Sequence, residues 1–477
     1  MFLGIDLGSS SVKVLALSGR RCFHGKGAYP AGLGPCEHPA QAVESAVCGA
    51  LSNLFQMTPV RAEDIRAIGL CGHGPSIVFA DRDGTAYTPV VTWQDKRALE
   101  ESAFLRTRLP GFQKDGTSYE AKLCWFYRHQ PELFRPGILA LYPKDYLLLR
   151  LCGSAMMDRS TASTIAFYHR ERGDWADCAP FFPPEVMPPT APSWIAAGET
   201  GTDFSRACGL PDHIPIFPGG IDSFCEAVGA GGIRPGIVVD GSGTSTCLTA
   251  CLKQDGVHAE HVLPGLALET PMLSNTGASY RWLCSLFPAL DLDQIQTRID
   301  PARPINLIYL PYLSGERSPI YDDRATGVFL GLRPDTGPQA LLQAMMQGVA
   351  FAVTQNLDLM AESVEKVRAV GGANRSTLWL QIKANASGLC FEQMEETDAA
   401  AFGCALLAGY GSGAYSLSEL EDLLQVRQGF QPHTAYRAEY RALYQIYQTL
   451  YPKLEDSYRA MYQLRARLDA DRGTDAL

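Results

Sequence analysis

The sequence predicts an α/β chain built from two related lobes, and three observations carry that expectation. Residues 1–18 (MFLGIDLGSSSVKVLALS) read as a β-hairpin, and residues 236–252 (GIVVDGSGTSTCLTACL) read as a second of similar design. Elsewhere short apolar strands run through glycine turns into helices, as at 216–232 and 370–386.

In the first hairpin the apolar run Phe2, Leu3, Ile5 ends at Asp6, passes through Leu7-Gly8-Ser9-Ser10-Ser11, and resumes as Val12, Val14, Leu15 and Leu17. Gly8 allows a sharp turn, and three successive serines aim hydroxyls and N–H groups at one point, which suits a phosphate. Asp6 at the mouth of the loop suits the Mg2+ that accompanies nucleotide phosphates. The same residues also suit a plain strand-to-strand turn. In the second hairpin a strand ends in Asp240, followed by Gly-Ser-Gly-Thr-Ser and another strand. Aligned on the acids, Asp6 matches Asp240, Ser10 matches Thr244 and Ser11 matches Ser245. Two such hairpins half a chain apart fit two related lobes that each offer a loop to one ligand, a triphosphate being the simplest.

At 477 residues, 46% hydrophobic and 19% charged, the chain is globular and long enough for two or three cores. Its net charge of −10 and the lack of a basic block argue against nucleic acid or an anionic membrane as partner. No apolar run approaches the roughly 20 residues that cross a bilayer, and Asp6 inside the first run argues against a signal peptide. The fourteen cysteines, with no Cys-x-x-Cys pair, read as small buried hydrophobes of a reducing cytoplasm. Cys247, Cys251, His258 and His261 can be drawn as a zinc site, although burial on one strand face explains the cysteines equally well.

Along the chain, 39–54 reads as a helix, and 65–81 (IRAIGLCGHGPSIVFAD) as strand, turn and strand with His73 in the turn. In 90–97 (VVTWQDKR), Trp93, Asp95 and Arg97 alternate, so an extended segment puts a ring, a carboxylate and a guanidinium on one face. That set suits a polyol; it also suits a surface ion pair beside a core tryptophan. Residues 143–151 open an apolar helix, and the proline-rich 179–193 reads as an ordered surface connection. In 216–232 a strand turns at Gly219-Gly220 and presents Asp222 at the start of a helix, where the helix end favours the ionised acid; a simple cap is the other reading. Arg234-Pro235-Gly236 marks a boundary between lobes, 1–235 and 236–477.

Further on, 275–282 starts a helix, 310–319 is a polar loop and 327–332 a short strand. A long helix is expected over 338–367, with Asp335 and Thr336 as cap candidates. The turn 370–376 (VGGANRS) lets the backbone lie flat against a ligand, and 399–407 (AAAFGCALL) is a helix small enough in its side chains to pack closely. Tyr440, Tyr444, Tyr447 and Tyr451 form one helical stripe that packs onto a lobe, with a subunit contact in a homodimer as the second use.

These segments resemble the nucleotide clamp shared by actin, the heat-shock ATPases and sugar kinases, and more specifically the FGGY family of carbohydrate kinases, its xylulokinase branch above all. The matching stretches are GIDLGSSSVK (4–13), TWQDKR (92–97), PKDYLLLR (143–150), GGIDSFCEAVGAG (219–231), GTS (243–245), LPYLSGERSP (310–319), GVFLGL (327–332) and GGANRS (371–376). The resemblance implies two actin-like (ribonuclease H-like) lobes, each on a mixed five-stranded sheet, with ATP in the cleft between them. The N-terminal lobe would bind sugar and carry the base, the C-terminal lobe the nucleotide. By that pattern Asp222 is the catalytic base, and Asp6 and the loop Gly8, Ser9, Ser10, Ser11 face Mg2+ and the terminal phosphate. Gly243, Thr244 and Ser245 hold the inner phosphates; Gly277, Arg281, Gly371, Gly372, Ala373 and Asn374 line the nucleoside.

One stretch departs from the family. Where xylulokinases carry Gln-Met-His and glycerol kinases Gln-Arg-Glu, this chain has His73-Gly74-Pro75. Glycine and proline there remove hydrogen bonds that a pentulose would use and open space, leaving Trp93 and Asp95 to hold a polyol and His73 as the replacement contact. The implied activity is ATP-dependent phosphorylation of a small ketose or polyol, D-xylulose first. Another pentulose, a tetritol or a modified sugar is the near alternative, and an actin-like ATPase without a sugar acceptor the distant one.

Overall fold

In the computed structural model, which describes residues 1–30 and 33–474, the chain forms two compact units. The first comprises Met1–Arg234, Lys253–Leu268 and Asp398–Leu424; the second comprises Pro235–Leu252, Glu269–Thr397 and Gln425–Leu477.

The first unit is built on the predicted hairpin. Strands Phe2–Leu7 and Ser11–Ser18 pair antiparallel, with Asp6 opposite Lys13, and Arg21–Ala28 continues the meander. On the other side Phe2–Leu7 pairs parallel with Ala67–Gly72, which in turn pairs parallel with Pro215–Ile221, and Gly198–Glu199 adds a short edge strand. The central strands Phe2–Leu7 and Ala67–Gly72 are buried along their whole length because both faces are covered. Leu3, Ile5 and Leu7 pack beneath Val43, Val47 and Leu51 of the helix Ala40–Met57 and Leu147 and Leu151 of Pro143–Cys152. Phe2, Leu15 and Cys71 meet Phe224 and Val228 of the helix Asp222–Gly229 and the small-residue helix Ala399–Gly411.

The second unit repeats the design. Ile237–Ser242 and Thr246–Lys253 form the second hairpin, Asp240 opposite Leu248. Ile237–Ser242 pairs parallel with Lys366–Val370, that strand pairs parallel with Cys390–Met394, and Val426–Phe430 closes the row antiparallel. The tyrosine stripe lies on the helix Arg437–Thr474, where Tyr444 and Tyr447 sit 5.8 and 5.7 Å from the Phe351 ring and the Tyr447 hydroxyl meets that of Tyr312 at 3.2 Å. It therefore packs within its own unit.

Four sequence expectations are corrected. The helix expected over 338–367 is Pro338–Leu357, capped by neither Asp335 nor Thr336; the remainder leaves the helix because Lys366–Val370 is a central strand. The segment 90–97 is extended only at Val90–Val91, after which the Asp95 N–H turns back to the Thr92 carbonyl at 3.2 Å. Cys48 and Cys208 pair as a disulfide rather than remaining free. The zinc set does not form, since His258 bonds Asp255 at 2.6 Å, the His261 ring bonds the Gly232 carbonyl at 2.8 Å, and Cys247 contacts Thr249.

Candidate active site

Strand register brings the first unit's candidate residues to one edge. Asp6 and Gly220 both lie opposite Cys71, and Leu7 and Ile221 both lie opposite Gly72. The residues that follow these three parallel strands are the Gly8–Ser11 loop, His73 and Asp222, at the carboxyl ends where open α/β sheets place their ligands.

Asp6 is only 8% exposed. Burial pushes its carboxyl up to about 6, opposed by the Lys13 ammonium, which is paired with Asp398 at 2.8 Å. Among the described residues the one hydrogen bond it accepts is from the Cys71 thiol, at 3.5 Å. Its remaining lone pairs fit a hard cation held by one carboxylate together with water and phosphate oxygens. Asp222 is the first residue of its helix and half-buried, with Oδ1 accepting from the Ser223 N–H at 2.8 Å. Burial, then the Asp6 charge, raises its carboxyl well above the usual range. The helix end favours the anion by about 0.3–1 kcal/mol, and desolvation beside a second carboxylate works against it.

Around His73 the structure replaces open space with a built wall. The ring is buried, Nδ1 meets Ser76 Oγ at 2.7 Å, and Nε2 has no hydrogen-bond partner among the described residues. Burial, with His38 and Lys122 adding, lowers its pKa to about 3, so the ring is neutral. A Cβ at Gly74 would stand 2.7 Å from the Tyr142 ring, so tyrosine fills the room that the glycine was expected to open. Lys122, which sequence reasoning passed over inside an apolar helix, donates from Nζ to the carbonyls of Pro75 at 2.9 Å and Thr92 at 2.7 Å. It joins the His73 turn to the Trp93–Asp95 turn, and burial lowers its pKa to about 8. Trp93 is 36% exposed rather than core. Asp95 is buried and accepts from Arg97 Nε and Nη2, both at 2.8 Å; although burial opposes it, that guanidinium keeps the carboxyl below its ordinary value.

Behind this edge Lys144 of the PKDY stretch pairs with Asp145 and Asp158, each at 2.5 Å. Asp158 went unremarked in the sequence because only the fold brings it to Lys144.

In the second unit the strands Ile237–Ser242 and Lys366–Val370 run parallel, Gly241 opposite Val370, so the 243–245 loop and the 371–374 turn leave the same edge. Gly371 has φ +88°, and a Cβ there would meet the Ser242 carbonyl at 2.5 Å. The N–H groups of Thr276 and Ala278 bond the Thr244 carbonyl at 3.1 and 3.0 Å, fixing the loop against the helix Gly277–Leu286, which carries exposed Arg281. Thr244 is exposed and Ser245 half-buried.

Asp240, the counterpart of Asp6 in sequence, has a different role. It is fully buried and bound by Lys383 Nζ at 2.6 Å and Ser242 Oγ at 2.5 Å. Lys383 also donates to Asn374 Oδ1 at 2.8 Å, while Asn374 Nδ2 donates to the carbonyls of Asp240 and Val370 at 2.8 and 2.9 Å. The Asn374 side chain is thus committed to holding the turn.

Both domains of the FGGY family of carbohydrate kinases match this chain, the N-terminal domain over residues 1–229 and the C-terminal domain over 242–412. The xylulose kinase of Escherichia coli (strain K12) is 28% identical, with 95% of this chain and 99% of that protein covered. The xylulose kinase of Bacillus subtilis (strain 168) is 26% identical, with 97% and 99% covered. A solved structure of a xyloylose kinase from Brucella ovis superposes with a TM-score of 0.85 at 27% identity, covering 95% of this chain and 99% of its own. The fold is the two-unit actin-like fold of these kinases. Among the described residues no helix is long and apolar enough to cross a membrane. With both domains in order and likeness along almost the whole length, the chain belongs to the FGGY family of carbohydrate kinases, phosphotransferases that act on a sugar with ATP.

Proposed function

We propose that this kinase transfers the terminal phosphate of ATP to a hydroxyl of a small ketose or polyol, with D-xylulose the leading acceptor. The observation that carries the reading is the meeting of Asp6, His73 and Asp222 at the ends of three parallel strands in one register. Asp222 accepts the proton of the attacking hydroxyl. His73 offers one bare ring nitrogen to an acceptor hydroxyl, Asp95 a carboxylate already oriented by Arg97, and Trp93 a partly exposed ring face. In the first unit Asp6 and the Gly8–Ser11 loop take Mg2+ and the terminal phosphate. In the second, Gly243, Thr244 and Ser245 take the inner phosphates, with Gly277, Arg281 and the backbone of 371–374 beside the nucleoside. When bound, Mg2+ neutralises charge on the phosphates; everything else is positioning and a proton sink, which suffices for phosphoryl transfer.

The test is ADP release across a panel of ketoses and polyols. Release should depend on acceptor and be greatest with D-xylulose; a stronger response to a tetritol or modified sugar would move the assignment, and equal release without acceptor would overturn it. Trp93→Ala should remove about 1–2 kcal/mol of acceptor packing and raise the acceptor KM about tenfold, with kcat changed less. An unchanged KM would remove Trp93 from the site.

The raised carboxyls also set a pH profile. Both Asp6 and Asp222 act as anions here, and both are held toward the neutral form, so activity is gained as pH rises through their titration. kcat/KM should show an acid limb at about 6 or above, falling about tenfold per pH unit below it. A flat profile from pH 5 to 8 would contradict the role.

A further inference from the structure

Three cysteines lie behind the strand edge and take no part in phosphoryl transfer. Cys71 is the penultimate residue of the strand Ala67–Gly72, Cys225 lies in the helix Asp222–Gly229, and Cys404 lies in the helix Ala399–Gly411. All three are fully buried, and their sulfurs lie within 4.8 Å of one another. They converge because the backbones around them touch. A Cβ at Gly403 would stand 1.8 Å from the Cys225 carbonyl oxygen, and one at Gly69 2.2 Å from that of Cys404. The helix Ala399–Gly411 is therefore pressed against both neighbours, and the thiols are fixed by rigid main chain rather than by mobile loops.

The geometry points to a binding site for one soft, thiophilic cation of the Cu(I) class, held by Cys71, Cys225 and Cys404. Metal–sulfur bonds of about 2.3 Å put the sulfurs of a three-coordinate site about 4 Å apart, within the observed spread. Thiolates select soft metals over the hard cation proposed for Asp6. Asp6 does not join the set of mutually close ligand atoms, so among the described residues no histidine, cysteine or carboxylate supplies a fourth donor, and three sulfurs suit Cu(I) better than tetrahedral zinc.

Uptake involves no electron transfer. Cu(I) forms three Cu–S bonds, the three S–H bonds are lost, and three protons leave to solvent. Because the Cys71 thiol is the hydrogen-bond donor to Asp6, occupancy replaces that donor with a thiolate beside a carboxylate. It should therefore inhibit the kinase, a consequence that rests on the role proposed for Asp6, whereas binding itself does not.

The test uses the full-length chain, reduced and anaerobic, with Cu(I) delivered from a competing chelator. The wild type should take up one tightly held ion with proton release and a near-ultraviolet thiolate-to-copper absorption. Cys225→Ala and Cys404→Ala should weaken uptake by more than the roughly 10–100-fold that changes outside the ligand set cost, whereas Cys124→Ala should match the wild type. As a measure independent of variant folding, Cu(I) should shield Cys71, Cys225 and Cys404, and not Cys124, from alkylation in the wild type. No uptake by the wild type, equal uptake by the Cys225→Ala variant, or shielding that bypasses these three residues would overturn the site. Binding without inhibition would leave the site standing and count against the Asp6 role alone.

Discussion

Asp222→Asn should abolish most acceptor-dependent turnover, lowering kcat by about 10²–10⁴-fold, while the protein melts no earlier than the wild type. The second half of the expectation separates chemistry from folding. Asp222 is half-buried beside Asp6, and both its burial and that neighbour disfavour its charge. An amide of the same shape removes this penalty while keeping the oxygen that accepts from the Ser223 N–H. A lost base with an unharmed or firmer fold is the signature of a group whose charge is kept for catalysis. The measurements are steady-state kinetics and thermal melting side by side. Unchanged kcat would remove Asp222 from the reaction, and a large fall in melting temperature would make its role structural.

Lys383→Met should destabilise the chain by about 3–5 kcal/mol, the usual cost of stranding a buried charge. Lys383 is buried and donates to Asp240 Oδ2 at 2.6 Å, Ser242 Oγ at 3.0 Å and Asn374 Oδ1 at 2.8 Å. Removing it leaves Asp240 as an uncompensated anion and an amide oxygen without its donor. Adding Asp240→Asn to that variant should recover part of the loss, because breaking the pair costs more than replacing both members. Denaturant unfolding reads both; a loss under about 1 kcal/mol would show that the network carries little of the unit's stability. Nucleotide binding should also weaken in the single variant, since Ser242 adjoins the 243–245 loop and Asn374 anchors the 371–374 turn.

The contrast between these two acids shows how far the sequence could be read. Both hairpins, their acids and their Gly-Ser loops were legible because strand–turn–strand is a local pattern. The pattern made Asp240 a twin of Asp6, yet Asp240 is fully buried under Lys383, 143 residues away along the chain, and no local spacing announces that pairing. Gly74 failed for a related reason. A glycine in sequence suggests room, but the room belongs to whichever side chain the fold delivers, and here it delivers Tyr142. The 338–367 helix was overrun because VRAV carries too little periodicity to distinguish a helix end from a buried strand. The upward pull on the Asp222 carboxyl was not legible because the helix terminus is visible in the sequence and desolvation is not.

Lys122 has a further consequence. By gripping the Pro75 and Thr92 carbonyls with one ammonium, it makes two stretches distant in the chain behave as a single rigid jaw, with Tyr142 wedged against Gly74. If the proposed acceptor contacts hold, preference cannot be retuned one turn at a time: transplanting residues 73–75 from a relative would strand the tyrosine and loosen the jaw. Exchanging the turn, its opposite number at 92–95 and the wedge together is the smallest coherent graft.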